Sequence, residues 1–243
     1  MAAMTVTSTT TPEPARARSR GRKVLRIALG TLAAAAAVMA LLHMPFARRI
    51  LMRVGGCPMA NGASPQKIEE ARMDSVRKTR GTTLSPARPA LGFALEGTTI
   101  SELRAWASSH GITCKEKRES TLIQCVDVPA SALGESFGEG TISELSLSLR
   151  PSTMRVVNIT AVRFGLSAAD ASSTMASITG RLKQRLGEPT TAEGDPSTQY
   201  LAAGDYHTAV VDYRFSDYMA TVSVTRIPER GVLLREHYIS ARD

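Results

Sequence analysis

Three cysteines, four histidines and one carboxylate-flanked loop are the places where chemistry could begin in this 243-residue chain. Cys114 and Cys125 stand in the stretch ITCKEKRESTLIQCVDV, which reads as two strands turning near Glu119 and Ser120. With that turn, residues whose numbers sum to 239 lie opposite one another, and the two cysteines are such a pair. Cysteines directly across an antiparallel pair lie at bridging distance, and a bridge closing so short a loop adds about 3 kcal/mol in the chain-entropy model. The other reading is two free thiols in a reducing compartment, since Glu-Ser is poor chemistry for a tight hairpin turn.

An acid/base pair comes closest to forming at Asp205-Tyr206-His207, with Asp212 on the strand that follows. A carboxylate there could orient an imidazole, but a polar loop and strand edge explain the same residues. His43, His110, His207 and His237 are isolated in sequence, and none has a Cys, Asp or Glu at zinc-helix or zinc-finger spacing. Nucleophile elbow, phosphate loop and dinucleotide glycine fingerprint are all missing from the sequence. Asn158-Ile159-Thr160 matches a glycosylation acceptor, but inside an expected strand. Val54-Gly55-Gly56-Cys57 has the look of a lipoprotein cleavage box, yet Arg48, Arg49 and Arg53 separate it from the apolar stretch such a signal needs. Cys57 is then an incidental or intermolecular thiol. The site expected from sequence is the Cys114/Cys125 disulfide alone, with no catalytic, cofactor-binding or metal residues, no cofactor and no small-molecule ligand.

The elements that would carry these residues are legible from caps and periodicity. Ser64-Pro65 offers an N-cap and a proline at the first helical position, which predicts a helix over 65–80 stopped by Gly81. Its apolar face (Ile68, Ala71, Val76) is sparse, and Asp74 and Lys78 stand at helical spacing, so it reads as a solvated stalk; the proline-containing stretch 81–97 reads as linker. Thr99-Ile100-Ser101-Glu102 is a capping box opening a helix with Ile100, Leu103 and Ala107 inward, stopped by Gly111. The Cys114/Cys125 hairpin follows. Beyond a Gly-rich loop at 134–140, Leu145, Leu147 and Leu149 alternate with serines, and Val157, Ile159 and Ala161 repeat the alternation. The pentamer Thr-Ile-Ser-Glu-Leu occurs at 99–103, where helix is expected, and again at 141–145, at a strand entry, so context must decide between them.

A second unit repeats the order. Ser167 opens a helix whose Ala171, Met175, Ile178, Leu182 and Leu186 share one face, and Gly187-Glu188-Pro189 ends it. With Ser216 and Asp217 as a turn, Ala209, Val211, Tyr213 and Phe215 face Val224, Val222, Ala220 and Tyr218. The reverse side shows Asp212, Arg214, Thr221, Ser223 and Thr225, with Val210 and Met219 as exceptions. A last strand over 232–239 completes the sheet. The expected fold class is α+β: an N-terminal transmembrane helix followed by two helix-plus-antiparallel-sheet modules, 98–164 and 165–243. Element order, with the helix end Leu186-Gly187-Glu188-Pro189 as a local echo, resembles the tandem helix-plus-sheet modules of the β-lactamase-inhibitor-protein type. That resemblance implies an envelope binding protein and carries over no binding residue.

Charge places the chain. Residues 1–26 hold six basic residues against Glu13, and residues 27–47 hold no charge, while from Arg48 onward 24 Lys and Arg nearly balance 21 Asp and Glu. Most of the net charge of +8 therefore belongs to the N-terminal tail, which carries +5, and no nucleic-acid partner is expected. The 21-residue uncharged stretch has the length of a bilayer-crossing helix, with a basic cytoplasmic tail before it and a juxtamembrane helix and linker over 48–97 after it. A cleaved signal peptide ending near Val38-Met39-Ala40 is the competing reading, and either one exports the rest. The expectation is a single-pass protein of the bacterial inner membrane with a periplasmic domain. Its expected role is a non-enzymatic binding or assembly module, or an accessory subunit of a membrane complex, with envelope or membrane proteins as partners. The alternative is an envelope hydrolase with a loop-borne acid/base group.

Overall fold

The computed structural model describes residues 63–134 and 140–243. The expected tail, the 27–47 span and Cys57 lie outside the described residues, as do positions 135–139 of the Gly-rich loop. Among the described residues, no helix is long and apolar enough to cross a membrane.

Helices and antiparallel strands alternate along residues 63–243, an α+β arrangement. Helix α1 (Pro65–Thr79) is followed by α2 (Ile100–Ser109), β1 (Cys114–Lys117), β2 (Leu122–Pro129), a 3-10 turn (Ala130–Leu133), β3 (Thr141–Leu149) and β4 (Val156–Leu166). The order then repeats with α3 (Ala168–Leu186), β5 (Thr191–Glu193), a short α4 (Thr198–Ala202), β6 (His207–Arg214), β7 (Tyr218–Ile227) and β8 (Gly231–Ser240). The eight strands of the described residues form one antiparallel sheet in the order β1-β2-β3-β4-β8-β7-β6-β5. The two halves meet where β4 pairs β8, with Thr160 opposite His237 and Val162 opposite Arg235.

Caps and turns explain where the elements begin. Thr99 and Glu102 form both arms of the capping box on α2, and Ser167 accepts from the Asp170 amide at the start of α3, each satisfying helix donors that would otherwise be orphaned. The second Thr-Ile-Ser-Glu-Leu, at 141–145, lies in β3. Ser216 and Asp217 make the β6–β7 turn, and Ala209 faces Val224, Val211 faces Val222 and Tyr213 faces Ala220.

One face of the sheet holds the core. Leu147, Ile159, Ala161, Val222, Val224 and Leu234 are fully buried there beneath α2 and α3, and the whole set forms one cluster. All five stripe residues of α3 are buried, whereas α2 buries Leu103 and Ala107. The reverse face carries Thr208, Asp212, Thr221, Ser223, His237, Asn158 and Ser146 in the opposite alternation.

Two expectations need correction here. Helix α1 is not a solvated stalk: Met73 and Val76 are buried, and Val76 packs on Met219, Ile239 and Ala241 of the reverse face. Arg72 donates to the Ser240 carbonyl at 2.9 Å, Arg80 to the Ala241 carbonyl at 2.9 Å, and Arg77 to Asp243. Asp74 bonds Arg77, not Lys78. Likewise, the stretch 81–97 is a strap rather than a free linker. Gly81 N–H donates to Phe215 O, Ser216 N–H to Thr83 O and Ser85 N–H to the Asp217 carboxylate, so the chain wraps the β6–β7 turn and passes to the core face. There Ala90, Leu91 and Leu95 are buried. A Cβ at Gly81 would collide with the Arg214 carbonyl, so only glycine allows this approach.

Candidate functional site

Cys114 and Cys125 are bonded, and they are direct Cα partners between β1 and β2 at 4.0 Å. The Val126 amide donates to the Thr113 carbonyl, which makes the neighbouring pair the hydrogen-bonded kind and the cysteine pair the closer, non-hydrogen-bonded kind. Arg118, Glu119 and Ser120 all take left-handed φ values of 53° to 65°, and this is how a hairpin without glycine closes at a poor turn sequence. The bridge leads into a cleft of about 250 Å³ between α2 and the hairpin. Arg104 spans it to Glu116 with two bonds of 2.7 and 2.9 Å, and these, with the Ser120 hydroxyl, hold the Glu116 carboxyl down at about 2.

The candidate acid/base pair is not brought together. His207 and Asp212 lie five residues apart on β6, an odd step that places them on opposite faces of the sheet. His207 stacks on Tyr200, with ring centres 4.1 Å apart. Asp212 accepts from Arg214 at 2.6 Å and from the Thr221 hydroxyl at 2.5 Å. His110 caps the end of α2, its Nδ1 2.8 Å from Trp106 O. His237 lies on the reverse face of β8 with Nε2 2.8 Å from Asn158 Oδ1, and burial, then Arg235, Arg214 and Arg72, depress it to about 4, so it is neutral at pH 7. Among the described residues, no group of three or more His, Cys, Asp or Glu is placed to hold a metal ion.

What sequence reasoning passed over lies on the core face where the two halves join. Glu236, fully buried, accepts from Arg163 at 2.6 Å and from the Tyr238 hydroxyl at 2.6 Å. Burial and the Glu236 charge raise the Tyr238 hydroxyl well above its ordinary value, so it stays a donor. The signal was present in the alternation. Val232, Leu234 and Tyr238 point inward on β8, so Glu236 must as well, and Arg163 continues Ile159 and Ala161 on β4. An inward carboxylate needs a partner.

Above this pair, beside α3, lie two adjoining cavities. The larger, about 520 Å³, is walled by Arg163, Thr141, Asp170, Ser173, Ser177 and Arg181. The smaller, about 220 Å³, has the buried Leu91, Ile178, Leu182 and Tyr238 as its floor and the exposed Gln184 and Arg185 at its rim. They share Ile178 and Arg181. No family model, curated protein or solved structure matches this chain. The likeness to tandem helix-plus-sheet modules therefore rests on element order alone. Chemically, the arrangement holds guanidinium groups and hydroxyls beside an apolar hollow.

Proposed function

We propose that this chain is a membrane-anchored, extracytoplasmic binding or assembly module without catalytic activity, one form of which is an accessory subunit of a larger membrane complex. The observation that carries the reading is the uncharged stretch 27–47 between a basic tail and a domain that holds a disulfide. Uncharged stretches of this length suit a bilayer crossing, and disulfides persist outside the cytosol. An Ala-rich span packs closely on other helices, which suits membership in a complex. His207 and Asp212, one pairing that a hydrolase reading would use, stand on opposite faces of β6.

Crosslinking in intact membranes, with identification of the captured proteins, tests the reading. It predicts reproducible envelope or membrane partners, and their reproducible absence counts against it. Copurification in mild detergent separates the forms: an accessory subunit stays with its complex, while a transient binder is lost.

A further inference from the structure

The disulfide ties down an edge strand that has little else to hold it. Strand β1 is four residues long, and its outer side pairs with no strand among the described residues. Its Lys115, Glu116 and Lys117 are exposed, so Cys114 is its only member packed against the core. The turn works against the pairing. Arg118, Glu119 and Ser120 all hold left-handed φ values, a conformation that costs free energy in any residue with a side chain. Apart from the bridge and the short ladder to β2, that strain is opposed by the Arg104–Glu116 pair and by the bond from Lys117 to Gln124. Solvent-facing contacts of this kind contribute little.

The two sulfurs differ in access. Cys125 is fully buried on β2, with the fully buried Leu145 of β3 as its other neighbour. Cys114 is half-buried on the open edge, and both cysteines line the cleft of about 250 Å³ between α2 and the hairpin. A thiolate attacks a disulfide sulfur from the side opposite the sulfur that leaves. For Cys114 that side opens off the sheet edge, whereas for Cys125 it is closed by β3.

We propose that the Cys114–Cys125 bridge is a reducible clasp on the sheet edge, opened by a dithiol, the reacting pair of a thiol–disulfide oxidoreductase. One thiolate of the dithiol bonds to Cys114 Sγ as the Cys114–Cys125 bond breaks, and Cys125 leaves as a thiolate that takes up a proton. The second thiol loses its proton and attacks the mixed disulfide, which releases Cys114 to be protonated in turn. The dithiol ends as a disulfide, and its electron pair now resides on the two cysteines of this chain. Without the bridge, turn strain carries β1 off β2, and Leu103, Trp106, Ile112 and Ile123 of the cleft lose their cover. Reduction thus converts a closed edge into an open one. The clasp does not depend on the binding role proposed above, and crosslinking that finds no partner would leave it untouched.

The test exposes the oxidised full chain, in detergent and without denaturant, to dithiothreitol. Peptide mapping after alkylation follows Cys114 and Cys125 apart from Cys57, deuterium uptake follows β1, and Trp106, the one tryptophan of the chain, reports on the cleft. The bridge should be reduced in the folded chain, and amide exchange in β1 should then rise about tenfold. Trp106 emission should move to longer wavelength while β6 to β8 keep their protection. Glutathione, a monothiol, should be trapped on Cys114 after acid quenching. Glu119→Gly stands at an exposed turn position with φ 55°, which glycine adopts freely, and it should slow β1 exchange several-fold relative to the reduced parent chain. The clasp is overturned by a bridge that dithiothreitol reaches only after denaturation, by unchanged β1 protection in the reduced chain, or by glutathione found on Cys125. Equal β1 exchange in the two reduced chains also overturns it, because turn strain would then not be what opens the edge.

Discussion

The two halves of the sheet solve the same packing problem with different means. In the second half, a 19-residue helix buries five apolar side chains against β7 and β8, and its edge strand β5 is only three residues long and exposed. In the first half, a 10-residue helix buries two, and the edge strand β1 is tied to β2 by the disulfide and to α2 by Arg104–Glu116. The difference teaches where each half gets its stability. The second rests on area removed from water; the first has less such area and adds a covalent tie and a capping box.

Substitutions can break that contrast. The largest effect is expected for Met175→Ala, which opens a cavity under the fully packed side of α3 and should cost about 3 kcal/mol, measured by denaturant unfolding. A loss below about 1 kcal/mol would mean that α3 is not the main clamp of the second half. Replacing both Cys114 and Cys125 with serine should cost a comparable or slightly smaller amount, about 3 kcal/mol at most. The loss should be local: hydrogen exchange should rise first in β1 and β2 while β6 to β8 stay protected. Uniform loss of protection across the sheet would erase the distinction between the halves.

Much of this contrast was legible in the residues. The Cys114/Cys125 register, the capping box at Thr99, the α3 stripe and the Ala209–Val224 register all follow from local periodicity and turn position, and the structure has each of them. What escaped depended on distant segments. Met219 reads as an apolar exception on a wet face until Val76 of α1 is placed over it, more than a hundred residues away in sequence. The strap 81–97 has no period because Ala90, Leu91 and Leu95 fill gaps left by other elements. The β4–β8 pairing that joins the halves, and with it the Arg163–Glu236 contact, needs the whole topology. For the candidate site the lesson is similar. The disulfide is a local fact and was readable, whereas the cavities beside α3 exist only once α3, β4 and the strap are assembled.

His237 on the reverse face gives the folded chain a pH dependence. His237 is held at about 4 in the folded chain against about 6.5 when unfolded, so the unfolded chain binds the extra proton between those values. Stability should therefore be complete above pH 6.5 and fall by about 2 kcal/mol as the pH drops toward 4. His237→Gln should flatten that slope in urea titrations, and an unchanged slope would mean that the imidazole is not held neutral in the fold. Gly81→Ala should cost roughly 1–3 kcal/mol by forcing the strap off the Arg214 carbonyl, with Met73 and Val76 becoming exposed to limited proteolysis first. The smallest effects belong to the caps. Thr99→Ala and Ser167→Ala should each cost about 1 kcal/mol, with Thr99→Ala the larger because its capping box has two arms.

The placement proposed above has residues 27–47 holding the chain in a membrane with residues 63–243 on its outer side. An impermeant protease added to sealed spheroplasts tests it most directly, read with an antibody to a C-terminal tag. The account predicts that the tag is lost from intact spheroplasts and that a membrane-bound fragment containing 27–47 remains. Full protection of the tag until the membrane is broken would contradict it.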